Sequence, residues 1–181
     1  MKMGYSVVGI DNLSIGRESN LDSLKSNDEF RFINCDITSA DKLRSLDSEF
    51  DYVFHLAALA DIVPSIENPQ KYFEVNVLGT VRLLEHFKNT QIKKFIYAAS
   101  SSCYGIPDEY PTAESADIRT EYPYALTKYM GELCVNHWSK VYRMPAINLR
   151  LFNVYGPRAR TSGTYGAVFG VLLAQRANGK P

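Results

Sequence analysis

Tyr124 and Lys128 stand four residues apart in the run Tyr124-Ala125-Leu126-Thr127-Lys128. On a helix that spacing puts both side chains on one face. A free phenol, with a pKa of about 10, is only roughly one part in a thousand ionised at pH 7. A neighbouring ammonium favours the phenolate by Coulomb attraction. Such a pair can act as a general base toward a hydroxyl; the spacing alone also fits a solvated helix face. Ser100, Ser101 and Ser102 close an apolar run ahead of Cys103-Tyr104-Gly105. Three hydroxyls there suit either a capped turn or a hydrogen bond to a substrate oxygen.

Other candidates end apolar runs in the same way. Asp11 sits at the tip of the first one. A carboxylate there can accept both ribose hydroxyls of an adenosine and repels a 2′-phosphate, which favours NAD over NADP. Arg17 acts slightly against that preference, and Asp11-Asn12 is also ordinary turn chemistry. Asp36-Ile37 ends the second run, where an adenine edge could lie. His55-Leu56-Ala57-Ala58 ends the third; its small residues let a flat cofactor approach the backbone, and His55 itself fits a structural histidine better than a catalytic one. Asn76 is a polar residue in the apolar run Val75-Asn76-Val77-Leu78 and needs partners if buried. Asn153 and Arg158 follow the fifth run. Arg158 suits a phosphate contact or a solvated loop.

Elements that could position these groups follow from periodicity. Short β-rich runs occupy 5–10, 30–33, 52–56, 94–98 and 146–151. Between them lie a short helix at 41–46, a helix from Pro69 to about 88 and another from Pro123 to 142; a last helix covers 166–177. In the long helix Phe73, Val77, Val81 and Leu84 recur at spacings of three and four. Strand–helix alternation at this spacing predicts an α/β fold with a parallel sheet. The aperiodic stretch 104–122 is expected over the carboxyl ends of the strands, where ligands bind in such folds.

Composition narrows the classes. The chain has 181 residues, 45% hydrophobic and 22% charged, with 20 Lys and Arg against 20 Asp and Glu. That suits one globular domain. Zero net charge argues against a nucleic-acid partner, and no apolar run is long enough for a membrane span. The opening residues lack the pattern of a signal peptide. Cys35, Cys103 and Cys134 are widely spaced, with no Cys-x-x-Cys or metal-ligand cluster. Three reduced thiols, a cytoplasmic location and no metal are therefore expected.

Taken in order, Asp11-Asn12-Leu13-Ser14-x-Gly16, His55-Leu56-Ala57-Ala58, Asn76-Val77-x-Gly79-Thr80, Ser100-Ser101-Ser102-x-Tyr104-Gly105, Tyr124-x-x-x-Lys128 and Phe152-Asn153-Val154-Tyr155-Gly156-Pro157-Arg158 carry a specific resemblance. The chain resembles the extended short-chain dehydrogenase/reductase family, in its group of NAD-dependent nucleotide-sugar epimerases and dehydratases. UDP-glucose and UDP-N-acetylglucosamine 4-epimerases are the members it most resembles. The resemblance implies a Rossmann-type doubly wound sheet. It implies Tyr124 as base and acid, Lys128 as its partner and ribose ligand, and Ser100 as the third catalytic member. It places Asp11, Asn12, Ser14, Gly16, Asp36, Ile37, Leu56, Ala57, Ala58, Asn76, Tyr124, Lys128 and Phe152 against NAD, and Ser101, Ser102, Asn153 and Arg158 against the nucleotide-sugar.

Family dehydratases resemble Thr-Asp-Glu-Val-Tyr-Gly at the serine segment, because elimination of water needs an extra acid and base. Ser101 and Ser102 offer neither, so epimerisation at C4 of a UDP-sugar is implied, with NAD regenerated in each cycle. Alternatives are a dehydratase or reductase of the same family, or a non-catalytic remnant or scaffold. The family's first strand, its glycine-rich turn and its substrate lobe have no counterpart in 1–181. The expectation is thus a partial NAD-binding Rossmann domain, truncated at both ends, with weak NAD binding and impaired turnover. A homodimer is implied through a four-helix bundle built from 69–88 and 124–142, with Phe87, Met130 and Trp138 as candidate contacts.

Overall fold

The computed structural model describes residues 3–158 and 168–179. Five strands form: β1 Val7–Asp11, β2 Phe30–Asn34, β3 Tyr52–His55, β4 Lys94–Ser100 and β5 Ala146–Leu151. Six α-helices accompany them: α1 Ala40–Arg44, α2 Ile62–Glu67, α3 Pro69–Tyr72, α4 Thr80–Phe87, α5 Pro123–Tyr142 and α6 Val168–Ala177. Every strand expected from the sequence is present. The last helix begins, within the described residues, at Val168; 166 and 167 lie outside them. The helix α2 and two 3-10 turns, Glu18–Leu21 and Ser101–Tyr104, have no counterpart among the elements expected from the sequence.

All described strand pairs are parallel. They divide into a β1–β2 sheet, with Val7 opposite Phe30, and a β3–β4–β5 sheet, with Tyr52 opposite Lys94 and Phe95 opposite Ala146. The Tyr5 and Tyr52 rings meet edge to face, their centroids 6.3 Å apart, at the starts of β1 and β3. The two sheets therefore begin at one end of the molecule, and their carboxyl ends share the other.

The stretch from Pro69 to Phe87 is helical throughout, as its periodicity predicts, but Phe73–Gly79 widens into a π-helix between α3 and α4. Such bulges recur at functional sites, and Asn76 lies in this one. Leu83, Leu84 and Phe87 pack with Phe95, Tyr97 and Val135 in the core. Phe87 is thus a core residue rather than a free contact for a second copy. Trp138 packs partly on the same core and donates from Nε1 to Glu85 Oε1 at 3.2 Å.

Helix α5 starts with Pro123 at its first position, where a missing N–H costs nothing. It ends with Arg143 in the left-handed region, φ 56°, just before Met144-Pro145. Gly131 interrupts an otherwise good helix former, at a cost of about 1 kcal/mol relative to Ala. Tyr97 explains it. The Tyr97 hydroxyl donates to the Lys128 carbonyl at 3.2 Å, so its ring end crosses the helix backbone at Gly131. A Cβ there would meet Tyr97 Oη at 2.2 Å and Cζ at 2.8 Å. Gly131→Ala is expected to destabilise the protein by about 1–3 kcal/mol through overpacking, read as a lower urea midpoint with an unchanged slope.

Candidate active site at the strand ends

Tyr124 projects from the first turn of α5, half-buried, and its hydroxyl lies 3.5 Å from Ser100 Oγ. Ser100 is the last residue of β4. Its Oγ accepts the Ser102 N–H at 3.2 Å and lies 3.1 Å from Ser102 Oγ. The serine run is therefore a capped 3-10 turn, with Ser100 Oγ beside the phenol. Gly105 closes the turn at φ 60°, with Arg119 O only 2.5 Å from where a Cβ would stand.

Lys128, one helical turn on from Tyr124, is 4% exposed. Its ammonium stands 4.3 Å from the centroid of the Tyr97 ring. No carboxylate pairs with it among the described residues. Burial pushes its pKa down to about 7. This rules out the solvated helix face. The buried amine has the Tyr97 ring beside it.

Behind this pair lies a buried polar chain. Asn76, 1% exposed, accepts the Leu59 N–H at 2.7 Å and donates to Leu59 O at 3.0 Å and to Thr127 Oγ1 at 3.1 Å. Its amide thus ties the loop after β3 to the π-helix and to α5, which answers its need for partners. Asn76→Ala would leave both Leu59 backbone groups and Thr127 short of a partner. It is expected to cost about 1–3 kcal/mol and to raise hydrogen exchange at the Leu59 amide. Thr80 Oγ1 donates to Asn76 O at 2.6 Å, so it accepts from His55 Nε2 at 2.8 Å. That assigns the proton to Nε2 and leaves buried Nδ1 without a partner among the described residues. Burial, and secondarily Lys128, hold the His55 pKa down to about 3. His55 is a neutral structural residue, as its sequence context suggested.

At the tip of the other sheet, Asp11 Oδ1 accepts the Leu13 N–H at 2.6 Å, and Ser14 N–H donates to Asn12 Oδ1 at 3.0 Å. Leu13 takes φ 56°. A Cβ on Gly16 would stand 3.3 Å from both Asp11 carboxylate oxygens; the turn 11–16 is folded around an exposed carboxylate. Asn12 Nδ2 donates to Asp36 Oδ2 at 2.9 Å, and Asp36 Oδ1 accepts from Thr38 N and Oγ1 at 2.8 and 2.7 Å. Burial opposes ionisation of Asp36, but these hydrogen bonds outweigh it and hold the carboxyl below its ordinary range. Ile37 is buried in the core. Leu56 is exposed, while Ala57 and Ala58 are half-buried.

The far rim is looser. Phe152 stacks on Tyr104, with centroids 6.4 Å apart and planes at 25°. Asn153 is exposed. Arg158 is exposed, its Nη2 3.3 Å from Ser23 Oγ. Among the described residues no cluster of His, Cys, Asp or Glu is placed to hold a metal ion, and no helix is long and apolar enough to cross a membrane.

Residues 1–181 match the NAD dependent epimerase/dehydratase family. The chain belongs to that family. It is 39% identical over 168 residues to the UDP-glucose 4-epimerase of Mycolicibacterium smegmatis, covering 91% of this chain and 53% of that one. The UDP-N-acetylglucosamine 4-epimerase of Methanobrevibacter ruminantium superposes with a TM-score of 0.90 at 35% identity, over 97% of this chain and 56% of that one. The UDP-glucuronic acid 4-epimerase of Bacillus cereus, solved with UDP-glucuronic acid and NAD, superposes with a TM-score of 0.83 at 33% identity, over 99% and 57%. The chain thus spans about half the length of the relatives it matches. The family is NAD-dependent, and the α/β fold with parallel strands is of the Rossmann type of these epimerase structures.

Sequence reasoning missed one set of polar residues near the site. Arg150 and Glu132 form a two-pronged ion pair beneath it. Glu132, four residues after Lys128, was the available local signal.

Proposed function

We propose that residues 1–181 form the NAD-binding unit of a UDP-sugar 4-epimerase and carry its proton-transfer residues. Tyr124 is the base that takes the proton of the sugar 4-hydroxyl and the acid that returns it. Ser100 is its hydrogen-bond partner and shares the same sugar oxygen. The observation that carries this reading is the 3.5 Å approach of Tyr124 Oη to Ser100 Oγ beside a buried, uncompensated Lys128.

The residues fit NAD. Lys128 is a buried cation without a carboxylate, and ribose hydroxyls would give its three N–H donors acceptors. Asp11, with Asn12, Ser14 and Gly16 shaping its turn, would take the adenosine ribose. Asp36 and the backbone of Ile37 would border adenine, and Leu56, Ala57 and Ala58 would lie along the cofactor. Asn76 acts here by holding the loop at Leu59, and Phe152 borders the nicotinamide. Bound NAD supplies a reversible hydride acceptor. Ser101, Ser102 and Asn153 would contact the sugar end of the substrate, and Arg158, beside Ser23, its phosphates. The absence of an acid at 101 and 102 favours epimerisation over dehydration.

The same reading places the protein in the cytoplasm as a homodimer, paired through the stretch 69–88 and α5, where Leu78, Leu126 and Leu133 are exposed. The deciding experiment supplies NAD with UDP-glucose, UDP-N-acetylglucosamine or UDP-glucuronate and separates each sugar from its C4 epimer by chromatography. Conversion that disappears in Tyr124→Phe is expected. Conversion unchanged in that variant, or none in a protein shown to hold both NAD and a UDP-sugar, overturns the reading.

A further inference from the structure

Strand β5 is built the wrong way round for a simple amphipathic strand. Ile147, Leu149 and Leu151 lie on its exposed side, while Asn148 and Arg150 lie on the side packed against α5. Polar residues on a packed face need partners, and α5 supplies them to Arg150 and to the Asn148 amide N–H, while Asn148 Oδ1 has none among the described residues. Arg150 Nε and Nη2 donate to the two Glu132 carboxylate oxygens at 3.0 and 2.7 Å. Asn148 Nδ2 donates to Asn136 Oδ1 at 2.7 Å. Two residues of strand rise by about 6.6 Å and four residues of helix by about 6 Å. The pairs 150–132 and 148–136 therefore lock an antiparallel register between strand and helix. Continued one step, that register carries Lys128, and then Tyr124, to the carboxyl edge of the sheet.

Arg150 also reaches the serine turn. Its Nη1 donates to Tyr104 Oη at 2.8 Å and to Glu114 O at 3.2 Å, and its guanidinium lies 5.0 Å from the Tyr104 ring centroid. Tyr104 ends the turn that begins next to Ser100. One side chain, with Glu132 only 7% exposed beneath it, thus joins the element that carries Tyr124 to the element that carries Ser100. We propose that Arg150 is a positioning residue that sets the register of α5 on β5 and holds Ser100 opposite Tyr124. This rests on the roles given above to those two residues.

Arg150→Lys keeps the charge and loses the planar fork. It is expected to lower kcat roughly tenfold to a hundredfold, the scale of a small misplacement at a reacting pair, with KM for the UDP-sugar within about twofold. Because the Tyr104 arm of Arg150 acts through Ser100 and the Glu132 arm acts through α5, the same change in a Ser100→Ala background is expected to cost several-fold less than in the parent. Equal losses in both backgrounds, or an unchanged kcat, overturn the proposal. A second measurement does not depend on turnover: the 13Cζ resonance of Tyr124 in tyrosine-labelled protein, assigned by its loss in Tyr124→Phe. It should move in Arg150→Lys and in Tyr104→Phe, which removes only one hydroxyl and covers the case that Arg150→Lys fails to fold. A purely structural role would lower Tm and leave that resonance in place, which overturns the proposal. A protein shown to hold both NAD and a UDP-sugar that turns over none, yet shows the moved resonance, overturns the epimerase reading and leaves the geometric role of Arg150 standing.

Discussion

Tyr124→Phe is expected to lower turnover of a UDP-sugar by about 10²–10⁴-fold, the usual share of a positioned general acid and base. The variant keeps the ring and removes one oxygen. Among the described residues that oxygen has a single long contact, 3.5 Å to Ser100 Oγ, so the melting temperature should barely change. The drop should fall on kcat and kcat/KM together, because the lost interaction strengthens only as the proton moves. Phe at 124 keeps the half-buried packing, and NAD affinity should hold to within a few-fold. Residual turnover within tenfold of the parent would remove Tyr124 from the reaction.

Lys128→Met is expected to make the protein more stable and less able to hold NAD. Burial holds the Lys128 pKa at about 7 in the folded protein, against about 10.4 in an unfolded chain. Between those values the unfolded chain binds a proton that the folded chain refuses. Stability therefore rises with pH from about 7 to about 10.4 and is lowest, for this group, below about 7. Met fills similar space without the buried charge. The gain should be largest at pH 6, on the order of a few kcal/mol, should shrink through pH 7–10 and should vanish above. The Tyr97 ring offsets only about 0.5–2 kcal/mol of the burial cost. Thermal melts of both proteins across pH 6–11 test this, and a stabilisation independent of pH would sink it. His55 acts in the same direction at lower pH. It stays neutral down to about 3, so parent and variant alike should lose stability as pH falls from about 6.5 toward 3. The parent thus carries a stability cost at Lys128, as expected where a buried cation is kept for a ligand.

Much of this arrangement was legible because it is local. The strand expected at 146–151 appears with those bounds, where Ile147, Leu149 and Leu151 alternate with polar residues between Met144-Pro145 and the Phe152-Asn153 bend. Pro123 marked the start of α5 for the same kind of reason. The Tyr124–Lys128 spacing needed only a helix, and the serines needed only the end of a strand. The π-helix at Phe73–Gly79 was not legible; its apolar spacing matches an α-helix, and the widened turn accompanies Asn76 bonds to Leu59 and Thr127, groups far away in the sequence. The inverted faces of β5 were hidden likewise. Alternation shows that the two sides differ, and only packing decides which one meets α5.

The residue order by itself determined the parallel α/β class, the elements that end in reactive side chains and the chemistry those side chains can do, because these depend on neighbours within a turn or a strand. Tertiary structure alone decided that Lys128 is buried over Tyr97, that Gly131 must lack a side chain, and that Arg150 joins Glu132 to Tyr104. Each of these is a contact between segments brought together by burial of the core. Its strength comes from excluding water, which no local pattern records.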